Sequence, residues 1–271
     1  MSYSTEELKK IAVSVRRGII EAVYSAQSGH PGGALSCADI LVDLYFNEMN
    51  VDPKNPRMEN RDRFILSKGH ASPAIYSTLA NRGFFPVEEL KTFRKIDSFL
   101  QGHPDLNKVP GVDMTSGSLG QGLSVANGMA LAGRLDNKDY YVYVVMGDGE
   151  IAEGQVWEAA MSSAHYKLNK VIAFVDFNGL QIDGKVTDVM NVTPIKEKFE
   201  AFGWNAIEID GHNFDEIHNA VSRAKESENR PTVIIAHTVK GKGVSYMENQ
   251  AGWHGKAPND EEYKVAMEGL V

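Results

Sequence analysis

The chain has 271 residues, of which 42% are hydrophobic and 24% are charged, an ordinary composition for a globular enzyme with a sizeable core. A formal net charge of -8, with no local cluster of Lys and Arg, opposes binding to nucleic acid. The N-terminal segment is acidic where a secretory signal needs basic residues, and no apolar run approaches the length of a membrane span, so we expect a cytoplasmic protein.

The first half of the chain has mainly helical patterns. Apolar periodicity predicts helices over residues 5–27, 35–49 and 72–82, with Ser36 as the N-cap of the second helix. The single cysteine, Cys37, lies in an apolar stretch, and we expect a packed thiol in a reducing compartment. Turns rich in glycine and histidine separate the three helices.

From Tyr140 onward, strand patterns alternate with helical ones. The predicted strands cover residues 140–146, 171–175, 205–209 and 232–236, and the predicted helices cover residues 154–167 and 214–225. Because the strands are short and apolar, we expect an open, mainly parallel sheet that is buried between layers of helices. The predicted fold class is therefore α/β. No boundary or internal repeat divides the chain, so we expect a single domain over residues 1–271.

Polar residues follow two consecutive strands of this sheet, at the edge where open α/β folds bind ligands. One strand ends in Gly147-Asp148-Gly149-Glu150 and the next ends in Asp176-Phe177-Asn178-Gly179-Leu180. One crossover unit separates Asp148 from Asn178, so we expect their oxygens to share a magnesium ion whose shell is completed by water and diphosphate oxygens. A helix that begins near Gly154 would direct its N-terminus toward the same anion. A lone Gly-Asp-Gly is often only a turn, so the surrounding pattern carries the interpretation.

This motif and its spacing resemble the thiamine-diphosphate motif, in which Gly-Asp-Gly leads to an Asn about 30 residues later. The resemblance implies the thiamine-diphosphate-binding fold of the diphosphate-binding type. It also implies that the metal ligands are Asp148, Asn178 and the backbone carbonyl of Leu180, while Gly147 and Gly149 approach the diphosphate. The implied cofactors are thiamine diphosphate and Mg²⁺, with Ca²⁺ as an alternative metal.

Turns that contain histidine and glycine resemble one family of thiamine enzymes. They follow the order of the transketolase series: Ser28–Gly33, Lys68–Ser72, Gly102–Pro104, Gly117–Gly122 and the closing Trp253–Gly255. Any one of these histidines alone would more often be an ordinary turn residue. Because the turns occur together and in this order, they favour the transketolase family. The histidines that match no part of the pattern are interpreted as surface or packing residues: His165, His212, His218 and His237.

The resemblance implies transfer of a two-carbon ketol unit from a ketose phosphate to an aldose phosphate, with the electron sink on the cofactor. By family analogy, His30, His103 and His254 face the oxygens of the sugar or the reacting carbonyl. His70 lies near the diphosphate and the reacting centre. Imidazoles suit proton transfer to and from sugar oxygens near neutral pH.

Further residues gain roles from the same resemblance. Gly117, Ser118 and Leu119 would pack against the cofactor. Glu153 resembles a carboxylate that transketolases place at the subunit interface and is a candidate catalytic residue. An acid at the start of a helix is also favoured by the helix dipole alone, so both interpretations of Glu153 stay open.

The resemblance covers nearly the whole chain, and only 17 residues follow His254. It therefore implies that a C-terminal transketolase subunit supplies the pyrimidine-binding domain, in a heterotetramer with closed two-fold symmetry. One helical stretch is rich in small residues that permit close approach of a partner helix: Gly120, Gly122, Ala126, Gly128 and Ala130. A cofactor-side turn explains Gly120 and Gly122 equally well.

Two departures from the family pattern bear on the alternatives. Ser118 stands where a proline is usual, and Val239–Gly243 replaces a glycine-serine loop with one similar to those of split transketolases and deoxyxylulose-phosphate synthase. The synthase is the nearest alternative, although Lys68–Ser72 and Trp253–Gly255 favour transketolase. The α-subunit of a 2-oxo-acid dehydrogenase shares only the metal motif. A non-catalytic thiamine-diphosphate binder that regulates its partner is the alternative from another class, and the retained histidines argue against it.

Overall fold

The computed structural model describes residues 3–271. Within this range the α-helices are α1 (Thr5–Ala26), α2 (Pro31–Ser36), α3 (Ala38–Asp43), α4 (Ser72–Arg82), α5 (Gly122–Leu135), α6 (Gly154–His165), α7 (Val186–Val189), α8 (Ile195–Ala201), α9 (Phe214–Lys225) and α10 (Asp260–Gly269). The strands are β1 (Arg63–Leu66), β2 (Val142–Gly147), β3 (Val171–Phe177), β4 (Leu180–Gln181), β5 (Gly184–Lys185), β6 (Asn205–Asp210) and β7 (Thr232–His237). A π-helical turn continues α3 (Leu44–Glu48), and 3₁₀ turns cover Gly69–Ala71, Val87–Thr92, Glu150–Ala152 and Ala251–Trp253.

Five strands form one sheet in the order β1-β2-β3-β7-β6, and every neighbouring pair is parallel. The register places Val145 beside Phe174 and Phe174 beside Ile234. β4 and β5 form a separate antiparallel hairpin just after β3. Because all five strands run the same way, their carboxyl ends meet at one edge of the sheet.

Helices cover both faces of the sheet and bury two apolar cores. Tyr143 and Val145 of β2 belong to the core beneath α1, α3, α4 and α9, while Val142 and Val144 belong to the core beneath α5, α6 and α8. Alternate residues of a strand face opposite sides, so a strand covered on both faces must be apolar throughout. The predicted α/β fold with an open parallel sheet is confirmed.

Most predicted elements are present with shifts of at most two residues at their ends, but the single helix predicted over residues 35–49 is wrong. The chain instead forms α2, α3 and the π-helical turn in succession. Ser36 is the last residue of α2 and does not cap a helix, because its hydroxyl donates to the carboxylate of Asp176 and the carbonyl of Gly33. Cys37 is buried, as expected.

β1 was not predicted. It has only four residues and follows the charged pair Arg61-Asp62, so it lacks the long apolar run that marks the other strands. Among residues 3–271, no helix combines the length and the hydrophobicity that crossing a bilayer requires.

Candidate active site

A cavity of about 260 Å³ opens at the carboxyl edge of the sheet. Most of the residues predicted from the sequence line it: His30, His70, Gly117, Leu119, Gly147, Asp148, Gly149, Asn178, Leu180 and His254. The wall also contains Gly33, Lys68, Glu150, Gln181, Ile182 and Lys240. α6 begins at Gly154 and lies outside this wall, whereas Gly149 and Glu150 are part of it. The sheet therefore brings together residues from turns far apart in the chain.

A larger cavity, of about 360 Å³, lies between residues 56–63 and 106–113. It contains none of the predicted site residues. Arg61 in its wall is already paired with the buried carboxylate of Asp113. The residues that line them therefore favour the smaller cavity as the candidate active site.

The predicted metal ligands present oxygen atoms to the cavity. Asp148 is only 2% exposed, and its carboxylate accepts hydrogen bonds from the backbone of Gly149 at 2.8 Å and of Gly179 at 2.6 Å. The side-chain oxygen of Asn178 accepts from the backbone N–H of Leu180 at 3.1 Å. Burial, together with the nearby charge of Asp176, raises the pKa of Asp148 to about 6. A bound cation would offset that cost of burying the charge.

Carboxylate, amide and carbonyl oxygens are the donors that Mg²⁺ prefers, and this ion keeps several positions for water or phosphate oxygens. No group of three or more His, Cys, Asp or Glu side chains among residues 3–271 forms a metal cage of its own. The predicted set of Asp148, Asn178 and the Leu180 carbonyl fits a magnesium ion that is shared with an anionic ligand.

Three histidines from separate turns meet in the cavity. The ring centroids of His30, His70 and His254 lie 5.1 to 5.3 Å apart. Burial lowers the pKa of His30 to about 4, of His70 to about 2 and of His254 to about 4, and nearby Arg and Lys charges add to the effect. All three rings are therefore neutral at pH 7, and each has one ring nitrogen that can accept a hydrogen bond.

The remaining predicted residues lie at or beyond the rim. His103 is outside the wall itself, but a Cβ added at Gly117 would lie 3.5 Å from its ring, and burial and Arg94 lower its pKa. Ser118 and Glu153 are exposed and do not line the cavity. Glu153 occupies the N-cap position of α6 without a side-chain cap bond, so the structure leaves it free to face another molecule.

Two lysines in the wall were not identified from the sequence. Lys68 is buried and paired with Asp176, and its ammonium donates to the carbonyl of Gly33 at 2.6 Å. Lys240 is also buried, and its ammonium donates to the Leu180 carbonyl at 3.3 Å and to Nδ1 of His254 at 3.1 Å. Burial lowers the pKa of Lys240 to about 8. Both lie in segments that the sequence analysis singled out, the Lys68–Ser72 turn and the Val239–Gly243 loop, but neither lysine was assigned a role.

Glu150 is a further residue that the sequence did not single out. Its buried carboxylate accepts hydrogen bonds from the backbone of Gly120 at 2.9 Å and of Gly147 at 3.0 Å, and from the hydroxyl of Ser67. It thereby ties the 117–122 turn to the end of β2. The position directly after Gly-Asp-Gly was its only signal in the sequence.

Unused polar atoms and open space in the cavity fit a diphosphate cofactor. Two buried nitrogen atoms in the wall, Nδ1 of His30 and Nε2 of Gln181, have no hydrogen-bond partner within the described chain. Glycine keeps space open, because a Cβ at Gly147 would lie 3.7 Å from the Lys68 stem and one at Gly33 would lie 3.8 Å from the His70 ring. The amide nitrogen of Gln181 and the ammonium of Lys240 suit a bound anion, and the apolar Leu119 and Ile182 suit an organic ring.

Comparisons with known proteins agree with this geometry. Residues 8–270 match the family described as transketolase, thiamine diphosphate binding domain. The chain is 43% identical to the 6-deoxy-6-sulfo-D-fructose transketolase subunit SqwG of Clostridium sp. (strain MSTE9), over 100% of this chain and 98% of that one. It is 44% identical to an apulose-4-phosphate transketolase subunit of Phocaeicola vulgatus, over 93% of this chain and 89% of that one.

The fold has solved counterparts as well. The crystal structure of transketolase from Campylobacter jejuni superimposes with a TM-score of 0.93 at 36% identity. The match covers 99% of this chain but only 43% of that one, so the chain spans less than half of that enzyme.

Proposed function

The chain belongs to the transketolase family of thiamine-diphosphate-binding domains, and we propose that it is the diphosphate-binding subunit of a two-chain transketolase. It acts as a single domain that transfers a two-carbon ketol unit from a ketose phosphate to an aldose phosphate, together with a C-terminal subunit that carries the pyrimidine-binding domain. The observation that carries the proposal is the cavity in which three neutral histidines face Asp148 and Asn178. Two relatives of similar length are themselves named as transketolase subunits, which supports the partner.

The proposed cofactors are thiamine diphosphate and Mg²⁺, with Ca²⁺ as the alternative metal. Asp148, Asn178 and the carbonyl of Leu180 hold the metal ion, and the backbone at Gly147 and Gly149 lies against the diphosphate. When bound, thiamine diphosphate supplies the nucleophile and the electron sink for breaking the bond between the second and third carbons of the ketose. The protein supplies the ions and dipoles that hold its diphosphate.

The histidines handle the protons of the sugar. His30, His103 and His254 face the hydroxyl and carbonyl oxygens, and His70 lies at the diphosphate and the reacting centre. Because burial lowers the pKa of each ring, each is neutral at pH 7 and has a ring nitrogen that can accept a hydrogen bond from a sugar hydroxyl. The unpartnered Nδ1 of His30 is the atom best placed to gain a bond from a ligand.

The proposed partner covers the mouth of the cavity. Leu119 and Ile182 border it and are 37% and 67% exposed, an unusual setting for apolar side chains beside a polar site. Gly117 and Ser118, with Leu119, complete the surface against the cofactor. Glu153 is exposed beside the same turn, where a Cβ at Gly120 would meet its Cβ at 2.7 Å. We place the partner here, in a heterotetramer with two-fold symmetry.

The test is ketol transfer by the complex of this chain with its partner. We expect the double variant His30→Asn/His103→Asn to lose about 100-fold or more in kcat/KM, since each ring contributes proton transfer, while thiamine diphosphate still binds. The control is the pair His165→Asn/His237→Asn at exposed positions. Full activity in the double variant would favour a non-catalytic binder that regulates its partner.

A further inference from the structure

A network of three side chains behind the cavity holds the loop that carries Lys240. The loop, here called the Lys240 loop, comprises residues 239–243. The network, here called the Asp39 network, comprises Arg16 of α1, Asp39 of α3 and His212 of the turn between β6 and α9. None of the three lines the cavity.

The Asp39 network reaches both ends of the loop. At one end, Nε2 of His212 accepts a hydrogen bond from the backbone N–H of Val239 at 2.9 Å. At the other end, Nε of Arg16 donates to the carbonyl of Lys242 at 3.1 Å. Asp39 joins the two anchors, because its carboxylate accepts from Nη1 of Arg16 at 2.9 Å and lies 2.7 Å from Nδ1 of His212.

The bond to Val239 determines the tautomer of His212. A backbone N–H can only donate, so Nε2 must be unprotonated and the proton must sit on Nδ1, where it is donated to Asp39. Burial opposes the charge of Asp39, but hydrogen bonds from His212 and the charge of Arg16 outweigh it and lower the pKa of that carboxyl. The hydrogen bonds thus hold each of the three side chains in one orientation.

The Lys240 loop also has contacts on its cavity side, with the segment that carries His30. The N–H of Gly241 donates to the carbonyl of Gly32 at 2.9 Å, and Gly241 has a φ of +80°. A Cβ at Gly32 would lie 3.1 Å from Cγ of Lys240 and 2.9 Å from the carbonyl of Trp253. The stem of Lys240 therefore packs on the turn that carries His30, and a small movement of the loop would displace its ammonium from Leu180 and His254.

We propose that the Asp39 network is a positioning device that sets the Lys240 loop and, through it, the affinity of the cavity for the diphosphate end of the cofactor. The inference rests on the proposed function. A buried ion pair alone is weak evidence for stability. The distinguishing feature here is that both anchors end on backbone atoms on either side of Lys240.

Two variants of His212 separate its two hydrogen bonds. In His212→Asn the amide nitrogen reaches the position of Nδ1 and keeps the bond to Asp39, but nothing reaches Val239. In His212→Gln the longer side chain places its amide oxygen near the position of Nε2 and restores the acceptor for Val239. The matched control is His218→Asn on α9, whose ring pairs instead with Glu48.

The measurements are the Kd of thiamine diphosphate with Mg²⁺, by calorimetry on the full chain in complex with its partner, and amide exchange at Val239 in the cofactor-free chain. We expect His212→Asn to weaken the cofactor about tenfold and to speed exchange at Val239 by at least as much, with His212→Gln within about threefold of wild type. His218→Asn should match wild type in both.

Equal cofactor affinity and equal Val239 exchange in His212→Asn and wild type would overturn the inference. So would a loss of affinity that is the same in His212→Asn and His212→Gln and follows their melting temperatures, since that is a general packing effect. If the wild-type complex binds no thiamine diphosphate, the proposed function fails. Exchange at Val239 then still decides whether the anchor exists.

Discussion

Single residues in the cavity divide into groups whose charge is already balanced and groups whose charge is available to a ligand. Lys68 is paired with Asp176 and has little charge to offer. Within residues 3–271, the ammonium of Lys240 hydrogen-bonds only to the Leu180 carbonyl and the neutral ring of His254. The available positive charge in the wall is therefore that of Lys240, which suits a diphosphate.

Replacement of Lys240 by Met tests this assignment. Methionine keeps most of the stem that packs on Gly32 but removes the charge, so we expect a loss of about 10- to 100-fold in affinity for thiamine diphosphate, as for one charged hydrogen bond in a buried site. Binding of thiamine without its diphosphate should change little. Calorimetry on Lys240→Met and on the exposed control Lys256→Met measures both; unchanged diphosphate affinity would contradict the assignment.

The neutral histidines also predict how stability depends on pH. Burial lowers the pKa of His70 from 6.5 to about 2, so below pH 6.5 the unfolded chain binds a proton that the folded chain does not. The stability from this residue is present above pH 6.5 and falls as the pH is lowered, by about 1.5 kcal/mol between pH 6.5 and 5.

Urea unfolding of the cofactor-free chain measures this dependence. We expect His70→Asn to have a flatter decline in the free energy of unfolding over that pH range than wild type, whatever its stability at pH 7. His165→Asn, at an exposed position on α6, should keep the wild-type slope. A wild-type slope in His70→Asn would contradict the prediction, because it would show that folding does not lower the pKa of His70.

At the scale of elements, α5 shows how two glycines of one helix differ. A Cβ at Gly122 would lie 2.4 Å from Oγ of Ser67, the residue whose hydroxyl also bonds Glu150, whereas a Cβ at Gly128 would meet no atom within 4 Å. The close approach of α5 to Ser67, which directly follows β1, therefore requires glycine at position 122, whereas position 128 has room for a side chain. Within the small-residue stretch of residues 120–130, close packing against Ser67 explains Gly122, but no contact within residues 3–271 explains Gly128.

The pair Gly122→Ala and Gly128→Ala tests this difference in one helix. We expect Gly122→Ala to destabilise the chain by about 1 to 3 kcal/mol through overpacking, and Gly128→Ala to stabilise it by about 0.5 to 1 kcal/mol through helix propensity. Denaturant unfolding of the chain without its partner is the measurement. Equal effects of the two substitutions would refute the packing explanation.

Local signals in the sequence were sufficient for the elements with strong periodicity. α1 has the capping box of Ser4 and Glu7, and α9 begins and ends where its pattern predicted. At the break after α2, the hydroxyl of Ser36 donates to Asp176, which is 140 residues away. No local pattern carries that information.

The residues of the candidate site also fall into those that local sequence patterns predict and those that depend on distant contacts. Ordered turns and the Gly-Asp-Gly motif identified the histidines, Asp148 and Asn178, because those residues lie in short recognisable segments. Lys240 and His212 went unrecognised, because their positions follow from contacts across the fold. His212 was interpreted as a surface or packing residue, yet it bonds Asp39, which is 173 residues away.

At the scale of the whole molecule, the exposed apolar residues at the cavity mouth predict the partner surface. We expect Ile182→Asp to weaken association with the partner by at least tenfold while the isolated chain keeps its stability, because an exposed charge costs nothing until it is buried in the interface. Val265→Asp on α10 is the control. Sedimentation of the mixed chains measures association; undiminished binding would place the partner elsewhere.

The most direct test of the account is ketol transfer from a ketose phosphate to an aldose phosphate, with thiamine diphosphate and Mg²⁺, by this chain alone and together with a co-purified partner. We expect activity only with the partner, because the residues proposed to hold the diphosphate and the metal ion belong to one side of the site. Activity of the chain alone would contradict it, because this chain would then supply its own group for activating the cofactor.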